Sequence, residues 1–170
     1  MCGIAGFLDK NRNEAATVGQ TVLTMLNALD CRGPDSAGVA LYGNHHSGDL
    51  VLRIKLGENG VFEEQAGQVA DRVGALGRVC EADSTGAYLR LVMDYGGDAQ
   101  VLEHTIESVN GDIEVVSMGR QLEIVKQVGS PQNLDRTYGI SGFVGTHGIG
   151  HTRLSTESRI DLSHSQPFWA

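Results

Sequence analysis

The chain has 170 residues, of which 41% are hydrophobic and 20% are charged, a composition typical of one soluble globular domain. Its formal net charge is −8 and no cluster of Lys or Arg interrupts it, which argues against nucleic acid and against an anionic membrane surface as partners. No apolar stretch approaches the ~20 residues of a membrane span, and the N-terminus lacks the pattern of a signal peptide.

The three cysteines, Cys2, Cys31 and Cys80, are an odd number and form no CxxC pair. This pattern argues against a disulfide framework and against a zinc site. We therefore expect a protein of the reducing cytoplasm, and no motif implies a metal or another cofactor.

The first third of the chain predicts a strand, a helix and two further strands. Residues 2–9 are short and apolar and predict a mostly buried strand, which a polar turn at 9–13 follows. Apolar residues spaced three and four apart from Val18 to Leu29 predict a helix. Residues 36–42 and 50–56 predict two strands, and the polar turn between them favours a β-hairpin.

Residues of about 58–138 predict a small α+β insert, because a strand–helix–strand order runs through its middle. Its predicted elements are helices over 61–76 and 99–109 and strands over 87–95, 113–118 and 122–128, followed by a loop at 130–133. After the insert, a glycine-dense segment leads into a strand at 147–156 that ends in polar groups.

Cys2 is the residue of this chain that points most directly to a chemical reaction. Removal of Met1 would place a thiol and a free α-amine on this one residue. An α-amine is partly unprotonated near neutral pH, so it can take the proton of the thiol and activate it as a nucleophile. Gly3 has no Cβ and lets a substrate approach the backbone. Position alone favours an ordinary residue near a frayed terminus.

Two later segments hold polar side chains in patterns that fit a binding site. Residues 31–38 place Arg32 and Asp35 on either side of a rigid Gly-Pro turn, which also fits a plain helix-to-strand turn with a solvated ion pair. In residues 151–156 the guanidinium of Arg153 could grip a carboxylate through two hydrogen bonds, with Thr156 adding a hydroxyl. Spacing alone favours a strand end whose arginine pairs with a surface carboxylate.

Together these motifs resemble the class II glutamine amidotransferases. The chain shows, in order, Met-Cys-Gly-Ile-Ala-Gly at its start, Arg-Gly-Pro-Asp-Ser-Ala-Gly from Arg32, and Gly-His-Thr-Arg-Leu-Ser-Thr from Gly150. The resemblance covers about residues 1–56 and 140–170. It implies an N-terminal-nucleophile (Ntn) hydrolase with an α+β fold, a four-layer αββα sandwich, that carries the small insert at about 58–138.

The resemblance also implies a reaction. Cys2 would attack the side-chain amide of glutamine, ammonia would leave, and water would hydrolyse the resulting γ-glutamyl thioester. Arg153 would bind the α-carboxylate of the substrate, with Thr156 beside it.

Other positions match the family as supporting residues. Arg32 would buttress the strand of the nucleophile. His147 and His164 would be structural or surface groups, since the α-amine already supplies the base. The supporting residues are Arg32, Gly33, Asp35, His151 and Thr152.

Residues 165–168, Ser-Gln-Pro-Phe, are similar to the Ala-Gln-Pro-Phe of glutamate-synthase glutaminase domains. This similarity implies a glutaminase subunit that takes glutamine and supplies ammonia to a synthase partner. A metal or flavin would belong to that partner.

One family feature has no counterpart here. In the family an Asn-Gly pair on the strand after the Pro-Phe region supplies the oxyanion hole, whereas this chain ends at Ala170. Asn59-Gly60 and Asn110-Gly111 lie in the insert and do not take this role. We therefore expect residues 1–170 to be the N-terminal portion of a type 2 glutamine amidotransferase domain, truncated at its C-terminus. The alternatives are a catalytically incomplete scaffold or regulatory subunit, and an Ntn amidase for another γ-glutamyl amide.

Overall fold

A computed structural model of the chain describes residues 1–10, 17–43, 49–58, 61–156 and 159–169. Over these ranges the chain forms eight strands and four α-helices, with 3₁₀ helices at Asp30–Arg32 and Ile140–Gly142. The strands are β1 (Gly3–Leu8), β2 (Ser36–Gly43), β3 (Leu50–Lys55), β4 (Arg78–Thr85), β5 (Tyr88–Asp94), β6 (Glu114–Gly119), β7 (Leu122–Val128) and β8 (Gly145–Arg153). The helices are α1 (Val18–Leu29), α2 (Phe62–Gly74), α3 (Ala99–Glu107) and α4 (Pro131–Tyr138).

The fold is α+β, as the sequence predicts, and its strands form two antiparallel sheets of four. The chain divides into two compact units. The first unit comprises Met1–His45 and Gln121–Ala170, and the second comprises His46–Arg120. No helix over the described ranges has the length and apolar character needed to cross a bilayer.

The sheet of the first unit has the order β1-β8-β2-β7, so β8 pairs with both β1 and β2. Helix α1 packs on one face of this sheet through Val18, Val22 and Leu26, all fully buried. Glycines in β8 permit the close approach, because a Cβ at Gly150 would lie 2.7 Å from Leu26 Cδ1. The helix and β8 thus form the core against which β1 is held.

The sheet of the second unit has the order β4-β5-β3-β6. Its helices bury one apolar stripe each, Val69 and Val73 on α2 and Leu102 and Ile106 on α3. Helix α3 begins at a side-chain cap, since the Asp98 carboxylate accepts hydrogen bonds from the backbone N–H groups of Gln100 and Val101.

The predicted hairpin of the second and third strands is wrong. β2 lies between β8 and β7 in the first unit, whereas β3 lies between β5 and β6 in the second. β2 and β3 therefore each pair with strands more distant in sequence and not with each other. Residues 44–48, which make up most of the predicted turn, lie outside the described residues, as do residues 11–13 of the earlier polar turn.

Other local features were not predicted, or differ from the prediction. The predicted loop at 130–133 is the start of α4, where Pro131 occupies the first turn and needs no N–H donor. β4 has no sequence prediction, since it is an exposed edge strand without an apolar face. β1 is not mostly buried, because Ile4 and Leu8 are exposed. The residues of the predicted insert divide between the units, since β7 and α4 belong to the first.

Candidate active site

Cys2 directly precedes β1 and is exposed. Gly3, the next residue, pairs with Thr152 near the end of β8. The thiol of Cys2 donates a hydrogen bond to the carbonyl oxygen of Leu154, with an Sγ–O distance of 3.9 Å. The thiol therefore lies beside the residues that follow β8, within reach of solvent.

Gly3 allows β1 to lie close to both β8 and α1. A Cβ at this position would be 2.9 Å from Thr152 Oγ1 and 3.0 Å from Leu29 Cβ. Thr152 is buried, and its hydroxyl donates to the Leu29 carbonyl at 3.4 Å. Thr152 thus ties β8 to the end of α1 immediately next to the residue that carries the thiol.

The Gly-Pro-Asp turn lies against the end of β8. A Cβ at Gly33 would be 2.6 Å from Thr152 C, so only glycine fits there, and Pro34 forms a parallel bridge with Arg153. The backbone N–H of Asp35 donates to the Arg153 carbonyl at 3.0 Å, and its carboxylate accepts from the Ser155 N–H at 2.7 Å. Asp35 therefore holds the backbone on both sides of residue 154.

Arg153 is buried, with 8% of its surface exposed. Its Nη1 donates to the Arg159 carbonyl at 3.1 Å, and Nη2 donates to Ser155 Oγ at 3.5 Å. A guanidinium carries five N–H donors in a planar fork, so contacts with the chain are compatible with binding a carboxylate.

His151 lies on the same sheet face as Arg153, two residues before it on β8. It is 6% exposed, and its Nδ1 is buried without a hydrogen-bond partner among the described residues. Burial, and secondarily the charge of Arg153, lower the pKa of His151 below its usual value. The imidazole is therefore held in its neutral form near pH 7.

A cavity of about 360 Å³ opens beside Arg153. One wall is formed by the last residue of β8 and the three residues after it, and the other wall by residues of the segment 163–168. The lining residues are Arg153, Leu154, Ser155, Thr156, His164, Gln166 and Phe168.

The segment 163–168 crosses the sheet of the first unit at Gly38. A Cβ at Gly38 would collide with the carbonyl oxygen of Gln166. Gly38 pairs with Lys126 of β7, whose ammonium lies 4.6 Å from the centre of the Phe168 ring. A cation over an aromatic face is favourable, so Lys126 helps to hold this wall of the cavity.

The structure brings most of the predicted site residues together at the ends of β1, β2 and β8. Arg32 is different, since its side chain is exposed and makes no hydrogen bond or ion pair with any residue in the described ranges. Sequence reasoning gave no role to Gly38, Lys126 or Leu154. Of these three residues only Gly38 is conspicuous in the sequence, because a glycine interrupts a run of strand-forming residues there.

Two other features lie apart from this site. A cavity of about 420 Å³ in the second unit is lined by none of the predicted site residues. Asn110-Gly111 belongs to the turn after α3, also in the second unit, and Asn59-Gly60 lies outside the described residues.

Comparison with known proteins gives two informative similarities. No protein-family model matches the chain. It is 31% identical over 169 residues to the glutamine amidotransferase-like protein GlxB of Rhizobium meliloti, covering 99% of this chain and 54% of that protein. It is 33% identical over 174 residues to a protein of Methanothermobacter thermautotrophicus described as a candidate glutamine amidotransferase, covering 99% of this chain and 56% of that protein. The chain thus spans about half the length of the curated relatives it matches.

Proposed function

We propose that this protein hydrolyses the side-chain amide of glutamine, with Cys2 as the nucleophile once Met1 has been removed. One observation carries the proposal: the Cys2 thiol contacts the Leu154 carbonyl, and Leu154 and Arg153 line the same cavity. The names of both relatives support glutamine as the substrate.

The first step is attack by the thiol on the amide carbon. Removal of Met1 makes the α-amine part of Cys2 itself, and this amine accepts the proton of the thiol. The C–N bond of the amide then breaks, the nitrogen leaves as ammonia with that proton, and a γ-glutamyl thioester remains. Water hydrolyses the thioester to glutamate and restores the thiol.

Orientation of the substrate falls to the residues at the end of β8. The Arg153 guanidinium binds the α-carboxylate, and the hydroxyl of Thr156, on the same cavity, adds a contact. Asp35 fixes the Ser155 N–H and thereby the backbone between these two residues. Holding substrate and nucleophile in one geometry is itself a large part of catalysis.

The finer assignments belong to the same proposal. The chain is a class II amidotransferase of the Ntn-hydrolase type with the αββα sandwich of that class, and residues 1–170 are the N-terminal portion of a type 2 domain with an insert. Its ammonia passes to a synthase partner resembling glutamate synthase, in the cytoplasm. Gly33, Asp35, His151 and Thr152 support the site, and the supporting role of Arg32 stays a prediction.

The proposal can be tested by measuring the intact mass of the purified protein before and after treatment with a diazoketone analogue of glutamine. We expect the mass of Met1 to be absent and one adduct to map to Cys2. Cys2→Ala should take up no adduct, whereas Cys31→Ala, which also removes an exposed thiol, should react like the wild type.

The outcomes separate the proposal from its alternatives. Retained Met1, or an adduct that does not map to Cys2, would contradict the proposal and favour a scaffold or regulatory role. Hydrolysis of other γ-glutamyl amides in preference to glutamine would instead indicate a different Ntn amidase.

A further inference from the structure

The turn between α3 and β6 contains the pair Asn110-Gly111, to which the proposed reaction gives no role. Asn110, Gly111 and Asp112 are all exposed, so water and hydroxide reach the turn from solvent. Asparagine is among the thermolabile residues of proteins, because its side-chain amide can be attacked by the backbone nitrogen that follows it. The pair is therefore a candidate for modification without any enzyme.

Two hydrogen bonds hold Asn110 in the turn. Its Oδ1 accepts from the backbone N–H of Asp112 at 3.2 Å, which closes an Asx-turn. Its backbone carbonyl accepts from the N–H of Ile113 at 3.1 Å. The first bond draws electrons toward Oδ1 and makes the side-chain carbon Cγ more electrophilic. It also keeps Cγ close to the backbone nitrogen of Gly111, which lies inside the same hydrogen-bonded ring.

The backbone nitrogen of Gly111 is placed to act as the attacking atom. Among the described residues nothing accepts a hydrogen bond from its N–H. Glycine has no Cβ to hinder the approach, and even an added Cβ at this position would meet nothing within 4 Å. Asn133 differs, because it lies within α4 and its side-chain nitrogen donates to the Val128 carbonyl at 3.3 Å. The turn thus leaves both reacting groups accessible, whereas α4 holds Asn133 in place.

We propose that Asn110 is a site of spontaneous deamidation. The Gly111 nitrogen, after losing its proton to hydroxide, forms a bond with Asn110 Cγ. The bond between Cγ and Nδ2 breaks, Nδ2 leaves as ammonia with a proton from water, and a five-membered succinimide remains. Water then opens this ring at either carbonyl, giving aspartate or isoaspartate, in which the main chain runs through Cβ.

The modification changes both the charge and the backbone at the turn that precedes β6. Each conversion adds one negative charge to a chain whose formal net charge is already −8. Isoaspartate also inserts one atom into the main chain and turns the carbonyl that bonds to Ile113 into a side group. Ile113 is buried, with 4% of its surface exposed, so we expect the attachment of the turn to the second unit to weaken. The inference goes beyond the proposed function and does not depend on it.

The test incubates the intact protein at mildly alkaline pH and maps its products at intervals by peptide mass spectrometry. We expect the peptide with Asn110 to convert to a mixture of aspartate and isoaspartate, severalfold faster than the peptide with Asn133 in the same sample. Gly111→Ala should convert severalfold more slowly than the wild type, because its methyl group hinders attack by the nitrogen. The structure has room for that methyl group, so this variant should retain the fold.

A comparison with the chain unfolded in guanidinium chloride separates the effect of the turn from that of the residue pair alone. We expect Asn110 to convert at a similar rate in the folded and unfolded protein, whereas Asn133 should convert faster after unfolding. Much slower conversion of Asn110 in the folded protein, or an aspartate product without isoaspartate, would overturn the inference. A Gly111→Ala variant that reacts as fast as the wild type would overturn it as well.

Discussion

Gly38 is the position at which the wall of the cavity meets the sheet. The carbonyl oxygen of Gln166 occupies the space that a side chain at 38 would need, and Lys126 beside it holds Phe168. A methyl group at this point must displace either β2 or the segment 163–168. Gly6, in β1, differs because a Cβ there would make an ordinary contact of 3.5 Å with Ile149 Cγ2.

We expect Gly38→Ala to lower the free energy of unfolding by about 1–3 kcal/mol, the usual cost of overpacking. Gly6→Ala is the matched control, and its effect should stay within about 0.5 kcal/mol. Chemical denaturation of both variants measures the difference. Equal effects would show that the segment 163–168 does not press on β2.

His151 couples stability to pH. Its pKa is lowered in the folded protein by burial and by Arg153. The unfolded chain therefore binds this proton more readily than the folded protein does, and stability falls as the pH drops below the unfolded value of about 6.5. Above that value both states hold the neutral ring and the contribution is constant.

We expect His151→Gln to lose less stability than the wild type between pH 8 and pH 5, because glutamine cannot be protonated. Chemical denaturation at the two pH values gives the comparison for each protein. A wild-type loss no larger than that of the variant would contradict the burial of a neutral imidazole at this position.

At the scale of single elements, two helical glycines have opposite surroundings. In α1 a Cβ at Gly19 would collide with the carbonyl oxygen of Ile140, so the glycine lets the helix pack against the 3₁₀ helix Ile140–Gly142. In α2 a Cβ at Gly67 would meet nothing within 4 Å. A glycine inside a helix lowers its stability by about 0.5–1 kcal/mol relative to alanine. At Gly19 the close packing against Ile140 offsets this loss, whereas Gly67 has no such contact.

The two alanine substitutions should therefore act with opposite sign. Gly67→Ala should raise the free energy of unfolding by about 0.5–1 kcal/mol, and Gly19→Ala should lower it by about 1–3 kcal/mol. Thermal unfolding followed by circular dichroism resolves changes of this size. Stabilisation by Gly19→Ala would mean that α1 is not held tightly against Ile140.

Elements with a clear apolar period could be predicted from the sequence, and the others could not. Helices α1, α2 and α3 each bury apolar residues spaced three and four positions apart, and that spacing is visible in the amino-acid sequence. β4 is exposed along most of its length and exists through its pairing with β5, which no local pattern encodes. α4 has only Pro131 and Leu134 buried, too few to show a period.

Some residues of the candidate site could likewise be predicted from the sequence, and others could not. Cys2, Arg153 and the Gly33 turn are conspicuous as residue types, and the structure places them around the ends of paired strands. The contacts of the segment 163–168 with Gly38 and Lys126 could not be predicted, because they form only when distant parts of the chain are brought together.

At the scale of the whole molecule, the order of the strands could not be predicted from local patterns. Neighbouring strands in sequence usually pair, and that rule led to the wrong hairpin of β2 and β3. The first sheet instead relies on long-range pairing, most clearly in β8, which lies between β1 and β2. In the second sheet β4 and β5 are neighbours along the chain, whereas β3 pairs with the more distant β5 and β6. Which strands become neighbours in a sheet therefore depends on the complete chain and not on any local segment.

One face of the first unit's sheet carries exposed apolar side chains. Ile4 and Leu8 of β1 are 73% and 59% exposed, and Ile149 of β8, which pairs with Gly6 between them, is 49% exposed. The net charge of −8 keeps molecules apart near neutral pH, and this repulsion fades as the carboxylates are protonated.

We expect the protein to self-associate as the pH approaches the point of zero net charge, and Ile149→Thr to reduce this association. Threonine retains the β-preference of isoleucine while removing apolar surface. Static light scattering measures both proteins, with Val61→Thr, an exposed apolar residue at the start of α2, as the control. Equal scattering by all three proteins would contradict a role for this face.

The pairing of β1 with β8 also sets an order of events during protein synthesis. Among the described strands β1 pairs with β8 alone, so the strand next to Cys2 leaves the ribosome long before its partner has been made. At ordinary translation speeds that delay is on the order of ten seconds. During it the N-terminus is unpaired and open to an aminopeptidase, as the proposed removal of Met1 requires, while the second unit, continuous in sequence, receives all of its strands. The proposed maturation of Cys2 can therefore precede completion of the sheet that holds it.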